Sequence, residues 1–284
     1  MPQLTVALIS DLFAEERPET AERRLADRLR EAGSMGARLA VLPELPLNAW
    51  RAASRDPVEA DAEPPGGWRQ TVMSRAAASA GVGVLGGAIV RDPVSGLRRN
   101  VALLFDARGG LLLRYAKLHL PEEPGFWETS HYVPGDEPPG LAEYAGLRVG
   151  AQICSDVNRP EGSHMLGAMG AEVILCPRAT ESGTWARWKM VLRANAVTST
   201  AYVLTVNRPH PESGVPLGGP SMAAGPDGDV LLETTDAVAV VTLDQDVVAR
   251  ARRAYPGYMK TRAGLYAQGW QGVARDQTKE DSQP

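Results

Sequence analysis

"GLRVGAQICSDVNRPEGSHMLGAMGAEVILC", residues 146 to 176, runs from an apolar, strand-like segment through a short polar break into a helical stretch, and then into a second apolar segment. A strand that follows a helix in this way is expected to lie parallel to the strand before it. The first segment ends on Cys154 and turns at once to Ser155, Asp156, Asn158 and Arg159. Parallel α/β sheets receive their ligands beyond the carboxyl ends of their strands. The stretch therefore predicts a parallel α/β core and places a thiol where such a core binds ligands.

Working outward, apolar or alternating segments recur at "QLTVALIS", "RLAVLPE", "GVGVLGGAIV", "NVALLFD", "LLLRYAKLHL", "AYVLTVN", "SMAAGPDGDVLLET" and "AVAVVTLD", each bounded by Gly, Pro, Asp or Asn. Helices are predicted over residues 19–35, where Leu25, Leu29 and Ala32 recur at helical spacing, and over about 67–80, 160–170 and 184–200. "FDARGGLLL" and "AAGPDGDVLL" read as hairpins, and residues 39–43 follow a helix as a parallel strand would. A mixed sheet covered by helices, with two sheets for this many strands, is the expectation. Residues 51–66 and 121–140 have loop composition, and "RDQTKEDSQP", 275–284, reads as a disordered tail behind a single domain of residues 1–274.

A chain of 284 residues with 44% hydrophobic content can fill one large core. The net charge of −4 is spread along the chain, which suggests neither nucleic acid nor an anionic membrane surface as partner. The N-terminus lacks a basic leader segment, and no run of eighteen apolar residues occurs. Two cysteines make neither a disulfide framework nor a zinc spacing. A cytoplasmic protein whose partner is a small molecule or another protein is expected.

Three apolar runs end on complementary chemistry: "LAVLPE" on Glu44, "LLLRYAKLHL" near Lys117, and "LRVGAQICSD" at Cys154. A carboxylate, an ammonium and a thiol at one edge supply a general base, an electrophilic clamp and a nucleophile. Of the two cysteines, Cys176 precedes Pro177, which has no N–H to offer an oxyanion, whereas Cys154 precedes Ser155, which has one. The plainer readings stand beside these: a free cysteine is commonly a core filler, Glu44 a surface cap, and Lys117 a solvated strand-end residue.

At these residues the sequence resembles the nitrilase superfamily of carbon–nitrogen hydrolases, its amidase and carbamoylase branches more than the true nitrilases. "VLPELPLNAW", "LLLRYAKLHLPEEPGFWE" and "VGAQICSDVNRPEG" stand in the family's order, and the similarity spans about residues 3 to 270. The resemblance implies an α/β fold, a four-layer αββα sandwich, assembled as a homodimer or higher homo-oligomer. It implies a Glu44-Lys117-Cys154 triad, with Glu128 as the additional glutamate of many members, the Ser155 N–H as an oxyanion donor, and a thioester intermediate. No metal or organic cofactor has a role in that chemistry. Asp156 after Ser155 favours amide or N-carbamoyl substrates over nitriles, while Ser155 itself departs from the usual aromatic residue, and "NRPE" departs from the usual pair before Pro-Glu. Arg178, in "CPRATESGTW", is a candidate grip for a substrate carboxylate or else half of a structural salt bridge. Thr180 and Trp185 share its loop as candidate pocket residues, though Trp185 and Trp188 could equally pack the next helix. A nitrilase, acyl transfer to an amine and a non-catalytic ligand-binding role are the alternatives.

Overall fold

The computed structural model describes residues 3–14 and 17–280. Its first half forms β1 (Gln3–Ile9), α1 (Pro18–Ser34), β2 (Leu39–Val41), β3 (Ala62–Glu63), α2 (Trp68–Ala80), β4 (Gly83–Arg91), β5 (Arg98–Phe105) and β6 (Leu111–Ala116). A short ribbon of β7 (Glu122–Glu123) and β8 (Phe126–Trp127) leads to β9 (Leu141–Tyr144), β10 (Leu147–Ala151), α3 (Pro160–Met169), β11 (Val173–Arg178), α4 (Trp185–Ser199) and β12 (Tyr202–Asn207). The chain ends with β13 (Ser221–Ala224), β14 (Val230–Thr234), β15 (Val238–Asp244), α5 (Gln245–Ala254) and α6 (Ala263–Glu280).

The first sheet has the order β15-β1-β2-β4-β5-β6 with β3 beside β4, and the second the order β14-β13-β12-β11-β10-β9. At the centre of each lie three parallel strands, β1, β2 and β4 in one and β10, β11 and β12 in the other, and the outer pairings are antiparallel apart from the short β3, which runs parallel to β4. Strand periodicity sorts the side chains into layers. Val6, Leu8, Val41, Val149, Val173 and Leu175 meet in the core between the sheets. Ala7, Ile9 and Leu42 face the other way, onto Leu25 and Leu29 of α1 and Met73 of α2. On the second sheet Ile174 and Cys176 turn outward to Leu166 of α3 and Leu192 of α4. Each such aliphatic side chain, fully buried, stabilises the fold by about 1.5–3 kcal/mol before entropy is counted. The result is the expected four-layer αββα sandwich.

Helix ends follow local chemistry: α1 starts on Pro18 with its preset φ, and α2 and α3 stop at Gly81 and Gly170, whose φ of 66° and 100° suit glycine. Three elements differ from expectation. β9 pairs with β10 through a two-residue Ala145–Gly146 turn, φ 53° and 85°, which lacks the Asn or Asp that marks such turns in sequence. α5 forms behind Asp244, whose carboxylate accepts from Asp246 N at 2.8 Å. Where the sequence predicts a disordered tail from Arg275, α6 continues to Glu280, and the remainder, 281–284, lies outside the described residues. No helix among the described residues is long and apolar enough to cross a membrane.

Candidate active site

β2 delivers Glu44 three residues past its last residue, and β6 delivers Lys117 directly after its own. The Lys117 ammonium lies 2.8 Å from Glu44 Oε1 and 2.7 and 2.8 Å from the two oxygens of Glu128, which comes from the 3-10 turn after β8. Asn100, on β5, donates to Glu44 Oε1 at 2.8 Å. Glu44, Lys117 and Glu128 are each at most 1% exposed. Among the described residues Glu44 Oε2 has no hydrogen-bond partner. One carboxylate oxygen is thus anchored and the other is available to a reacting proton.

Cys154 comes from the second sheet, three residues past β10, at the start of a 3-10 turn over Cys154–Asn158. Its φ of 47° is left-handed, a conformation that costs a non-glycine residue about 1–3 kcal/mol and persists only where neighbours over-determine it. Asp156 is the neighbour that does so. Its buried carboxylate accepts from Ile153 N at 3.0 Å and Tyr115 Oη at 2.8 Å, and from the backbone N–H groups of Leu118 and His119 at 3.2 and 3.0 Å. Ser155 Oγ adds a bond to His119 O at 2.6 Å. The thiol turn and the segment carrying Lys117 are therefore laced together.

Electrostatics follow from this burial. Desolvation, then the Glu44 charge, push the Cys154 thiol well above its ordinary range despite Lys117. Burial alone would lower Lys117, but Glu128, Glu44 and Cys154 together carry it well above the usual value. Burial pushes Glu128 up to about 8, with Lys117 opposing and Glu44 reinforcing. At neutral pH the site holds a neutral thiol beside an ammonium. A thiol in that state acts as a nucleophile only with a base at hand.

A cavity of about 140 Å³ opens onto Cys154 and Ser155, walled by Phe126, Thr180 and Trp188. Glu123, Glu181 and Arg187 also line it. Thr180 is therefore where the sequence expects it. Arg178 is not: the residue is 1% exposed, and its guanidinium bonds to Thr205 Oγ1 at 3.0 Å, to Thr180 Oγ1 and to Pro220 O. In place of the expected carboxylate grip, Arg178 makes internal bonds and does not line the cavity, while burial lowers its pKa to about 10 and leaves it cationic at neutral pH. Trp185 lies against Arg178, 4.8 Å from ring centre to guanidinium, and donates to Glu233, away from the cavity. Its neighbour Trp188 takes the wall position.

Sequence reasoning missed Asn100, Tyr115 and Arg208. Arg208 follows Asn207, the last residue of β12, so the strand-end rule that found Glu44 and Cys154 also points at it.

Residues 7–253 match the carbon–nitrogen hydrolase family model, and the chain belongs to that family. Relatives include the omega-amidase NIT2 of Homo sapiens, 28% identical over 86% of this chain and 90% of that one. The N-carbamoylputrescine amidase of Arabidopsis thaliana is 29% identical over 59% of this chain and 62% of that one. An amidase from Nesterenkonia sp. superposes with TM-score 0.76 at 25% identity, covering 95% of this chain and 97% of that one. The carbon-nitrogen hydrolase from Helicobacter pylori G27 shares the fold, with TM-score 0.83, 20% identity, and 94% and 97% coverage. Its relatives lie in the amidase and carbamoyl-amidase branches of the nitrilase superfamily.

Proposed function

We propose that the chain hydrolyses the C–N bond of a small linear amide or N-carbamoyl compound through a thioester on Cys154. The observation that carries this reading is the Lys117 ammonium held between Glu44 and Glu128, with Glu44 Oε2 unpartnered and Cys154 at the wall of a small cavity. The amidases among its relatives support the amide class.

In this mechanism Glu44 Oε2 takes the Cys154 proton as sulfur bonds to the substrate carbonyl carbon. The oxygen gains the electron pair of its double bond and is met by Lys117 Nζ and the Ser155 N–H, donors worth roughly 3–4 kcal/mol each in such a site. Collapse restores the C=O, the C–N bond breaks, and Glu44 passes its proton to the departing nitrogen. Water then gives a proton to Glu44 and its oxygen to the thioester, and the proton returns to sulfur as the acid leaves. Glu128 holds Lys117 in place throughout. The small volume suits a short linear substrate. A homodimer is part of the same reading, supported by exposed apolar side chains on α4 and α6.

The test is ammonia release from aliphatic amides, ω-amides, N-carbamoyl amines, N-carbamoyl amino acids and nitriles, with Cys154→Ala as the blank. Release that depends on Cys154 and is confined to amides or carbamoyl compounds is the expected result; no such release from either class overturns the reading.

A further inference from the structure

Glu44 and Cys154 stand on different sheets, so no single hydrogen-bonded ladder sets the distance between base and nucleophile. Arg208 crosses that gap. It follows β12, in the sheet that carries Cys154, and its Nη1 donates to Glu44 O at 2.8 Å and Leu45 O at 3.0 Å, while Nη2 donates to Asn48 O at 2.9 Å. Glu212 closes on the guanidinium with 2.7 Å bonds to Nε and Nη2, and its Oε2 also accepts from Trp50 N at 3.2 Å. Arg208 is 0% exposed. A charge buried this far is retained only with a partner, which Glu212 supplies.

The backbone it grips is strained. Leu45, next to Glu44, has a φ of 50°, and a non-glycine residue holds that conformation only where its surroundings require it. Beside Glu44 itself the two sheets are also joined by Glu44 N to Arg178 O at 3.4 Å and by Ser10 Oγ to Asn207 O at 2.7 Å, one bond each, while the Asp156 lacing reaches the Lys117 segment and not Glu44. Three carbonyls on one planar fork are a geometry that an ammonium cannot copy. We propose that Arg208, with Glu212 as its counter-ion, is a positioning residue that fixes the Glu44 carboxylate against Cys154 across the two sheets. This rests on the assignment of Glu44 as the base.

The experiment follows two readouts in the full chain: amide turnover, and the pH profile of Cys154 alkylation by iodoacetamide, located by mass spectrometry. Glu44→Gln gives the reference profile of a thiol without its base. Arg208→Lys is expected to lower kcat by about 10²-fold, the scale of an ångström-sized misplacement, with KM unchanged and the alkylation profile moved toward that of Glu44→Gln. Arg208→Met moves further, and Glu212→Gln, which keeps the packing, moves partway and remains informative if the arginine variants do not fold. Wild-type kcat and profile in the Arg208 and Glu212 variants, with Glu44→Gln altered, overturn the positioning role alone. A loss of turnover that tracks the unfolded fraction while the profile stays wild-type also overturns it. An unaltered profile in Glu44→Gln removes the base assignment and the proposal with it. Absence of amide turnover in the wild type counts against the hydrolase reading, and the alkylation profile still decides the positioning.

Discussion

Cys154 and Cys176 are both buried and both have raised pKa values, so neither burial nor titration separates them. Position does: Cys154 lines the cavity, while Cys176 packs outward from β11 among residues of α3 and α4. Cys154→Ala is expected to abolish ammonia release with the unfolding midpoint little changed. Cys176→Ala should keep turnover and cost about 1 kcal/mol in urea unfolding, the scale for losing one small buried group. Glu128 offers a pH test. Its folded pKa of about 8 lies above the ordinary 4.5, so between those values the folded state binds the proton more tightly than the unfolded chain. Stability contributed by this group is therefore present at low pH and lost as pH rises toward 8. Glu128→Gln should flatten that fall in melting temperature, and a variant that retains the wild-type slope would show that Glu128 titrates normally. The sequence marked Glu44, Lys117, Glu128 and Cys154 because each sits on a motif. It left Arg178 between a substrate grip and a structural salt bridge because a strand-end position says that a residue is near the ligand edge, not that its guanidinium bonds to Thr180, Thr205 and Pro220.

Among the elements, the connection between β6 and the 3-10 turn at Cys154 runs mainly through one carboxylate, with Ser155 Oγ adding a bond to His119 O. Asp156 accepts from residues on both sides, and an amide in its place would turn an N–H₂ toward N–H donors. Asp156→Asn is expected to lower stability by about 1–3 kcal/mol and to reduce kcat, measured by urea denaturation and steady-state turnover. Full activity in that variant would show that the left-handed Cys154 is held by other contacts. The same scale shows which elements could be read in advance. The apolar runs found β1, β4, β10, β11 and β12, and the Asp-Gly and Gly-Gly signals found both hairpins, because each of those patterns is local. β9 was hidden because an Ala-Gly turn carries a weak signal. The connection through Asp156 joins residues far apart in the chain, and no local period reports it.

For the whole molecule, the sandwich explains why the site draws on both halves of the chain: the first sheet brings the Glu44 carboxylate and the Lys117 ammonium, the second the Cys154 thiol, and the core of Val6, Leu8, Val173 and Leu175 lies between them. What the single chain leaves uncovered is a row on α6. Tyr266, Trp270 and Val273 recur at helical spacing and are 66%, 53% and 45% exposed, beside Leu265 at 61%, while Met190 on α4 is 70% exposed. An apolar stripe of this kind is stable in water when another surface covers it. In the proposed homodimer a second copy is that cover. Sedimentation velocity on the wild-type chain is then expected to give a dimer. Trp270→Lys together with Tyr266→Lys should shift it toward monomer while leaving the Cys154 alkylation profile intact, since neither residue lines the cavity. A dimer that withstands both charges would place the contact away from this stripe, and a wild-type monomer would remove the homodimer from the functional reading.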